Sequence, residues 1–461
     1  MAGGLMQLVA YGAQDVYLTG NPKVTFFQAV YKRHTNFAME VIEQTVNGSA
    51  GNDGRLSVTI ARNGDLIGDM FLELTANTTL STSAGLTLTT GPFSGCWAAE
   101  RAIKDIELTI GGQRIDKHYQ IWWRLYSELY LTADKKANYA KLTSDASNGA
   151  TRGSHQVFLP LLFFFNRNPG LYLPLIALQY HEVRLDFDLA SEFTLYHSTS
   201  GIHVWGNYVY LDTEERRRFA QKGHEYLIEQ VQHTGSDSVT VSGTSTQQKQ
   251  VRLSYNHPVK ELIWAYNNGS STLNGLWNFT SNLMSSNAVV IDCGTRLNFG
   301  ASNVMTTIPL GLVGTPLFIA GSTSAAIAAG ANVSVCQWLE DGLAYNGGAI
   351  ANMSCGPLSS FKLILNGQDR FKEQSGKYFN QVEPFMHHTG NPYPGIYSYS
   401  FALKPEEHQP TGTCNFSRID NAQVQVTMKA GVTDNSSQWM FAVNYNVLRI
   451  QSGMGGLAFS N

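Results

Sequence analysis

Charge is the first thing this chain has little of. Only 15% of its 461 residues are Asp, Glu, Lys or Arg, against roughly 25% in ordinary globular chains. The formal net charge is −3. Neutralising phosphates takes a basic surface, so a protein built mainly to bind nucleic acid is excluded. A polybasic face for membrane surfaces is excluded on the same ground. The shortage is also uneven. Residues 1–230 carry 20 Lys/Arg and 23 Asp/Glu, and residues 231–461 carry 12 and 12. The second half must therefore solvate its surface with Ser, Thr, Asn and Gly, or with attached sugar.

Cysteine is scarce too. Cys96, Cys293, Cys336, Cys355 and Cys414 are odd in number and include no C-x-x-C pair. Neither a disulfide framework nor a structural zinc site is expected. The opening MAGGLMQLVAYGAQD has no basic n-region and no long apolar h-region. It does not read as a secretory signal, and the chain reads as folded in a reducing cytosol. The longest uncharged run, Leu297–Leu339, is interrupted by Pro309 and Pro316 and diluted by polar residues. A span needs about 20 mainly apolar residues. The run therefore reads as neutral surface loops with one buried strand, and no transmembrane segment is expected.

Catalytic signatures are missing as well. No HExxH, GxSxG, Walker or GxGxxG motif stands in a fitting context. His387 and His388 are adjacent, and adjacent side chains on a strand point to opposite faces, a poor start for a metal site. His181-Glu182 has the same defect. His34 and His257 sit beside turns, where a structural hydrogen bond is the expected role. The carboxylate pairs Glu214-Glu215, Glu340-Asp341 and Glu406-Glu407 could serve a glycosidase only across a cleft, and nothing singles one out. No catalytic residue, metal ligand or cofactor is assigned.

What the chain does have is hydrophobic and aromatic material, 43% and 11%, too much for a disordered segment. It is laid out with a period of two. Leu56, Val58 and Ile60 alternate with polar neighbours, as do Ile106, Leu108 and Ile110, and Val183, Leu185, Phe187 and Leu189. Val251, Leu253 and Tyr255 follow, then Phe361, Leu363 and Leu365, then Val424, Val426 and Met428, then a strand near FAVNYNVLRI. Asn366-Gly367 is a strong hairpin signal. Many short strands punctuated by Gly and Pro predict all-β sandwiches or barrels.

Two stretches break the pattern. In WWRLYSELYLTADKKANYAKL, Trp122, Leu125, Tyr126, Leu129 and Tyr130 recur at three and four, which predicts one helix packed over a sandwich end. A short helix is predicted at Thr213–Gln221. Its Arg216-Arg217-Arg218 reads as a solvated connector between domains. The chain also resembles itself. ELTIGGQRI at 107–115 matches KLILNGQDRF at 362–371, and 163–187 compares more weakly with 400–426. A repeat this long suits two similar β domains in tandem, with a boundary near 213–224.

Several long strings resemble the major capsid proteins of large icosahedral DNA viruses, most closely the algal, chlorella-virus-like type. They include GGLMQLVAYGAQDVYLTGNPKVTFFQAVYKRHTNFAMEVIEQTVNGS at the start, SVTIARNGDLIGDM, IELTIGGQRIDKHY, LPLLFFFNRNPGLYLPLIALQYHEVRLDF and YLDTEERRRFAQKGHEYLIEQ. LNGQDRF, YSYSFALKPEEHQPTGTCNFSRIDNA and NYNVLRIQSGMGGLA continue the match. Residues 266–357 carry no matching pattern. The resemblance implies a double jelly roll, two tandem eight-stranded β-sandwiches with short helical excursions. It implies an inner-face segment at 1–24, a first roll at 25–213, a linker at 214–224 and a second roll at 225–461. Three chains would make a pseudo-hexagonal homotrimeric capsomer, and capsomers would join into a lattice.

The same resemblance implies minor capsid proteins as inner-face partners, assembly in the host cytoplasm and a place in the virion. The inner segment's Leu5, Leu8, Val9 and Tyr11 need a partner or a fold-back. Glycans are a further implied feature. Of the N-x-S/T sites, Asn268, Asn278, Asn332 and Asn352 are the candidates chosen for loop position, in the neutral region expected to face outward. The rival readings are a minor capsid paralogue of the same fold, a β-sandwich lectin or adhesin, and a carbohydrate-active hydrolase. The lectin would need an export signal, and the hydrolase a catalytic pair.

Overall fold

Among the described residues, alternating side chains fold into sixteen principal strands, eight in each half of the chain, beside several shorter ones. The computed structural model describes residues 3–76, 98–143, 156–239, 247–267, 288–289, 333–334, 356–392, 395–428 and 437–459. In the first half the strands are β1 (Phe37–Gln44), β2 (Arg55–Thr59), β3 (Leu66–Thr75), β4 (Ile103–Ile110), β5 (Gln113–Tyr119), β6 (Gln156–Pro160), β7 (Val183–Leu189) and β8 (His203–Leu211). In the second they are β9 (His224–Ser238), β10 (Gln247–Leu253), β11 (Pro258–Asn267), β12 (Leu358–Leu365), β13 (Gln368–Asp369), β14 (Ile396–Ser400), β15 (Ala422–Met428) and β16 (Ser437–Gln451).

The sheets of the first half run β1-β8-β3-β6 and β2-β7-β4-β5. Those of the second run β9-β16-β11-β14 and β10-β15-β12-β13. Adding eight to every number of the first pair gives the second pair. Each half is thus a jelly roll, with strands alternating between two facing sheets, and the two rolls share one topology. The internal similarity lies where this equivalence puts it. ELTIGGQRI forms the β4–β5 hairpin, and KLILNGQDRF the β12–β13 hairpin. At the first turn Gly111 and Gly112 have φ +58° and +80°; at the second Asn366 and Gly367 have +50° and +81°. Two left-handed residues match the strand twist across a two-residue turn.

Leu185 and Phe187 of β7 and Val424, Val426 and Met428 of β15, which the alternation singles out, are buried, and so are Met70, Leu72 and Leu74 of β3. In the second roll Trp264 stacks on Phe361 at 4.4 Å and on Tyr397 at 5.7 Å between ring centroids. Each such side chain contributes about 1.5–3 kcal/mol by leaving water.

The expected single helix between β5 and β6 is two. They are α2 (Gln120–Tyr130) and α3 (Ala133–Thr143), and α1 is Gly3–Val9. The break falls at Leu131-Thr132, where Leu131 leaves the helix in extended backbone. Trp122, Leu125 and Leu129 are buried as the spacing predicts. Their helix, however, packs between the rolls instead of over a sandwich end. The predicted helix Thr213–Gln221 forms and is α4. Its first arginine is not a free solvated charge. Arg216 donates from Nε and a terminal nitrogen to Asp65 Oδ2 at 3.1 and 3.0 Å, and the Leu211 amide donates to the same oxygen. Arg217 does remain at the surface, 3.6 Å from Glu214.

Residues 1–37 form a unit apart from 38–461. Leu5, Leu8, Val9 and Tyr11 are all exposed there. The glycan candidates Asn268, Asn278, Asn332 and Asn352, the run Leu297–Leu339 apart from residues 333–334, the pair Glu340-Asp341 and four of the cysteines lie outside the described residues. Cys414 is a free thiol. No helix among the described residues is long and apolar enough to cross a membrane.

Candidate functional site

The two rolls meet along a buried seam, and the polar residues that burial makes costly are concentrated there. In β11 and β16 both faces are covered. Leu262, Trp264, Met440 and Ala442 point into the second roll's own core. Their neighbours Ile263, Ala265, Phe441 and Val443 point out of it and join the hydrophobic cluster of the first roll, together with Ile228, Val231 and Ile396. From the first roll, β5 and α2 supply the opposing surface. Trp122 lies 5.7 Å from the Phe441 ring, and Tyr119 lies 5.0 Å from the His233 ring.

Hydrogen bonds fix the register of this contact. Asp116 Oδ1 accepts from the Val231 amide at 3.1 Å. Gln230 donates from its side chain to the Ile115 carbonyl and accepts from Asn446 Nδ2 at 3.0 Å. Asp116 also holds His118 at 2.9 Å. At the far end, His181 Nδ1 sits 2.9 Å from the Gly455 carbonyl oxygen. Leu457 donates its amide to Gln113 Oε1 at 3.1 Å.

Charges are paired inside the seam. Glu229 is held by Lys260 at 2.7 Å and by Arg167 at 3.1 Å. Lys260 Nζ also donates to the Pro405 carbonyl at 2.6 Å. Burial pushes the Glu229 carboxyl upward, but Lys260 and Arg167 outweigh it and hold it below its ordinary value. A second set centres on His388. Its Nε2 is 3.2 Å from Glu261 and its Nδ1 is 3.3 Å from Glu406, with Tyr130 of α2 edge-on at 5.2 Å. Burial opposes its charge, yet the two carboxylates raise it to about 9. Close by, the Gly390 amide donates to the Leu129 carbonyl at 2.9 Å. A Cβ on Gly390 would sit 2.3 Å from the Glu128 carbonyl oxygen, so only glycine lets the chains approach this closely.

The histidines singled out from sequence are dispersed. His387 lies 3.6 Å from Glu383, away from the contacts of its neighbour His388. His34 Nδ1 is 2.7 Å from the Thr35 carbonyl, and His257 donates its amide to Ser417 Oγ. Among the described residues no group of three or more His, Cys, Asp or Glu is placed to hold a metal. A cleft of about 230 Å³ opens on the seam beside Tyr126, Arg167, Glu229, Lys260 and Glu406. Its charges are already paired with one another. Sequence reasoning missed the seam. The available signal was the loss of alternation in ELIWAY and WMFAVNY, with Lys260 and Glu261 heading an apolar run. Such runs report strands covered on both faces.

Two eight-stranded rolls of one topology, locked along a buried polar seam, define a double jelly-roll protein. Residues 25–212 match the model of the major capsid protein N-terminus, and residues 215–456 that of the large eukaryotic DNA virus major capsid protein. The chain is 43% identical to the major capsid protein of Paramecium bursaria Chlorella virus 1 and 41% identical to that of Phaeocystis pouchetii virus, over the full length of all three. It superposes on a chain of the quasi-atomic model of the PBCV-1 virus capsid with a TM-score of 0.71 at 39% identity, covering 95% of this chain and 100% of that one. The Faustovirus major capsid protein shares the fold, with a TM-score of 0.62 at 13% identity over 97% of this chain and 96% of that one. The chain belongs to the major capsid protein family of large eukaryotic DNA viruses, structural components of the virion capsid.

Proposed function

We propose that three copies of this chain close around a threefold axis into a pseudo-hexagonal capsomer, and that capsomers tile an icosahedral shell. The observation that carries this is the matched pair of rolls. One chain supplies two blocks of the same strand order in a fixed relation, so three chains supply six blocks for a hexagonal outline. Contacts about the threefold axis close on themselves. Contacts between capsomers join unlike patches and propagate. The role is structural, with no catalysis.

In this reading the first roll is 25–213, the linker 214–224 and the second roll 225–461. The family matches, which part between 212 and 215, support those limits. Residues 1–24 face inward, where their exposed apolar side chains meet minor capsid proteins. Asn268, Asn278, Asn332 and Asn352 accept glycans in this reading. Assembly takes place in the host cytoplasm. Size-exclusion chromatography with light scattering should give three times 50.7 kDa, and negative-stain images should show hexagonal particles. A stable monomer at micromolar concentration would overturn the capsomer.

A further inference from the structure

One end of the seam is closed by a strap that belongs to the second roll and lies on the first. After β16 the chain turns at Ser452-Gly453 and runs back as the short strand Met454–Leu457. It pairs antiparallel with β16, Met454 opposite Gln451 and Leu457 opposite Leu448. β11 pairs with β16 only as far as Val259 opposite Asn444. The strap therefore continues the sheet where β11 has ended. It also bonds to the first roll. Tyr180 donates its amide to the Gly453 carbonyl at 3.0 Å. His181 Nδ1 lies 2.9 Å from the Gly455 carbonyl oxygen and 3.2 Å from its amide nitrogen. Gln113 Oε1 accepts from the Leu457 amide at 3.1 Å. Leu457 itself packs, half-buried, against the hydrophobic cluster of the first roll.

Three residues of the strap are glycines, and each stands where a side chain would strike the first roll. A Cβ on Gly453 would sit 2.6 Å from the Tyr180 ring, one on Gly455 2.7 Å from Leu178 Cδ2, and one on Gly456 3.0 Å from Gln113 Oε1. Glycine weakens a strand and marks the close approach of another part of the chain. A short strand so rich in glycine holds poorly on its own ladder, so its closure depends on the roll that receives it. The strand β5 links this attachment to a second one. Where β5 begins, Gln113 meets the strap; where it ends, α2 carries Leu129 to the Gly390 amide.

We propose that residues 453–457 are a clasp that fixes the angle between the two rolls, and that three chains close into a ring only with the clasp fastened. The second half of this proposal rests on the capsomer reading. The buried seam holds the rolls together with the clasp open or closed. The clasp sets how far they rock about the attachment at Gly390. An error in that angle recurs in every chain of a ring, so the last chain would miss the first.

The test uses the full chain carrying Gly455→Val. A β-branched residue suits the strand and its ladder with β16, but here it wedges against Leu178. Adding Leu178→Ala removes what it strikes. Met454→Ser, at a position 52% exposed on the same strand, is the control. Gly455→Val should keep the circular dichroism of the parent and a single unfolding transition. The Val231 amide, bonded to Asp116 across the seam, should exchange faster. At a concentration where the parent is trimeric by light scattering, the variant should fall toward the 50.7 kDa monomer. The double variant should recover both slow exchange and the trimer, and Met454→Ser should match the parent. Gln113→Ala, which removes only the bond to Leu457, is the milder opening and should give the same two changes in smaller degree. Unchanged exchange at Val231 in both opening variants would overturn the clasp, as would a double variant that recovers nothing. Faster exchange in a chain that stays fully trimeric would overturn its part in assembly and leave the capsomer standing. A monomeric parent would remove the capsomer reading, while exchange at Val231 would still decide the clasp.

Discussion

Glu229 and His388 are each buried between two opposite charges, and that arrangement sets what a single substitution does. Removing one partner of a buried ion pair leaves a charge uncompensated, which costs about 3–5 kcal/mol. Glu229→Gln, which leaves Lys260 and Arg167 without their shared carboxylate, should therefore lower stability by about that amount, read as a shift of the denaturant midpoint at unchanged slope. His388 gives a pH signature. Its folded value of about 9 stands above the ordinary 6.5. The charged form is the one folding favours, so its contribution is complete below about 6.5 and is lost as pH rises through about 9. The parent should lose stability between pH 7 and 10, measured by thermal unfolding at closely spaced pH values. His388→Gln should start less stable and show a flatter profile over that interval.

At the scale of elements, the two equivalent hairpin turns separate backbone strain from crowding. A Cβ on Gly367 meets nothing within 4 Å, so Gly367→Ala should cost only the left-handed conformation, about 1–2 kcal/mol. A Cβ on Gly111 would sit 2.3 Å from His181 Nδ1. Gly111→Ala should cost distinctly more and disturb the His181–Gly455 contact, visible as faster amide exchange at Gly455. These turns were legible in the sequence because a two-residue turn leaves a local mark, and period-two alternation marked strands such as β2, β7 and β15. The seam was not legible. Glu229 is 62 positions from Arg167 and 31 from Lys260, and no local pattern encodes such a pairing. In β11 and β16 the uninterrupted apolar run told that both faces are covered, but not by what. The one-helix expectation over Trp122–Leu142 failed because side-chain periodicity does not report a chain leaving helical backbone at Leu131.

For the whole molecule, the hydrophobic cluster of the first roll contains Ile228, Val231, Ile263, Phe441 and Val443 of the second. Neither roll can open without exposing part of the other's support. Calorimetry of the single chain should show one unfolding transition, and two well-separated transitions would mean that the seam contributes little. The order of strands adds a consequence for biosynthesis. In each roll the last principal strand, β8 or β16, is inserted between two made earlier. During translation the first sheet stays split until β8 emerges. The aromatic flank at Tyr119 and Trp122 then waits uncovered until β16, the last principal strand, leaves the ribosome. A nascent chain with this layout is sticky until β16 is made, which makes it a natural client for chaperones and makes stalling between β15 and β16 more harmful than stalling before β2.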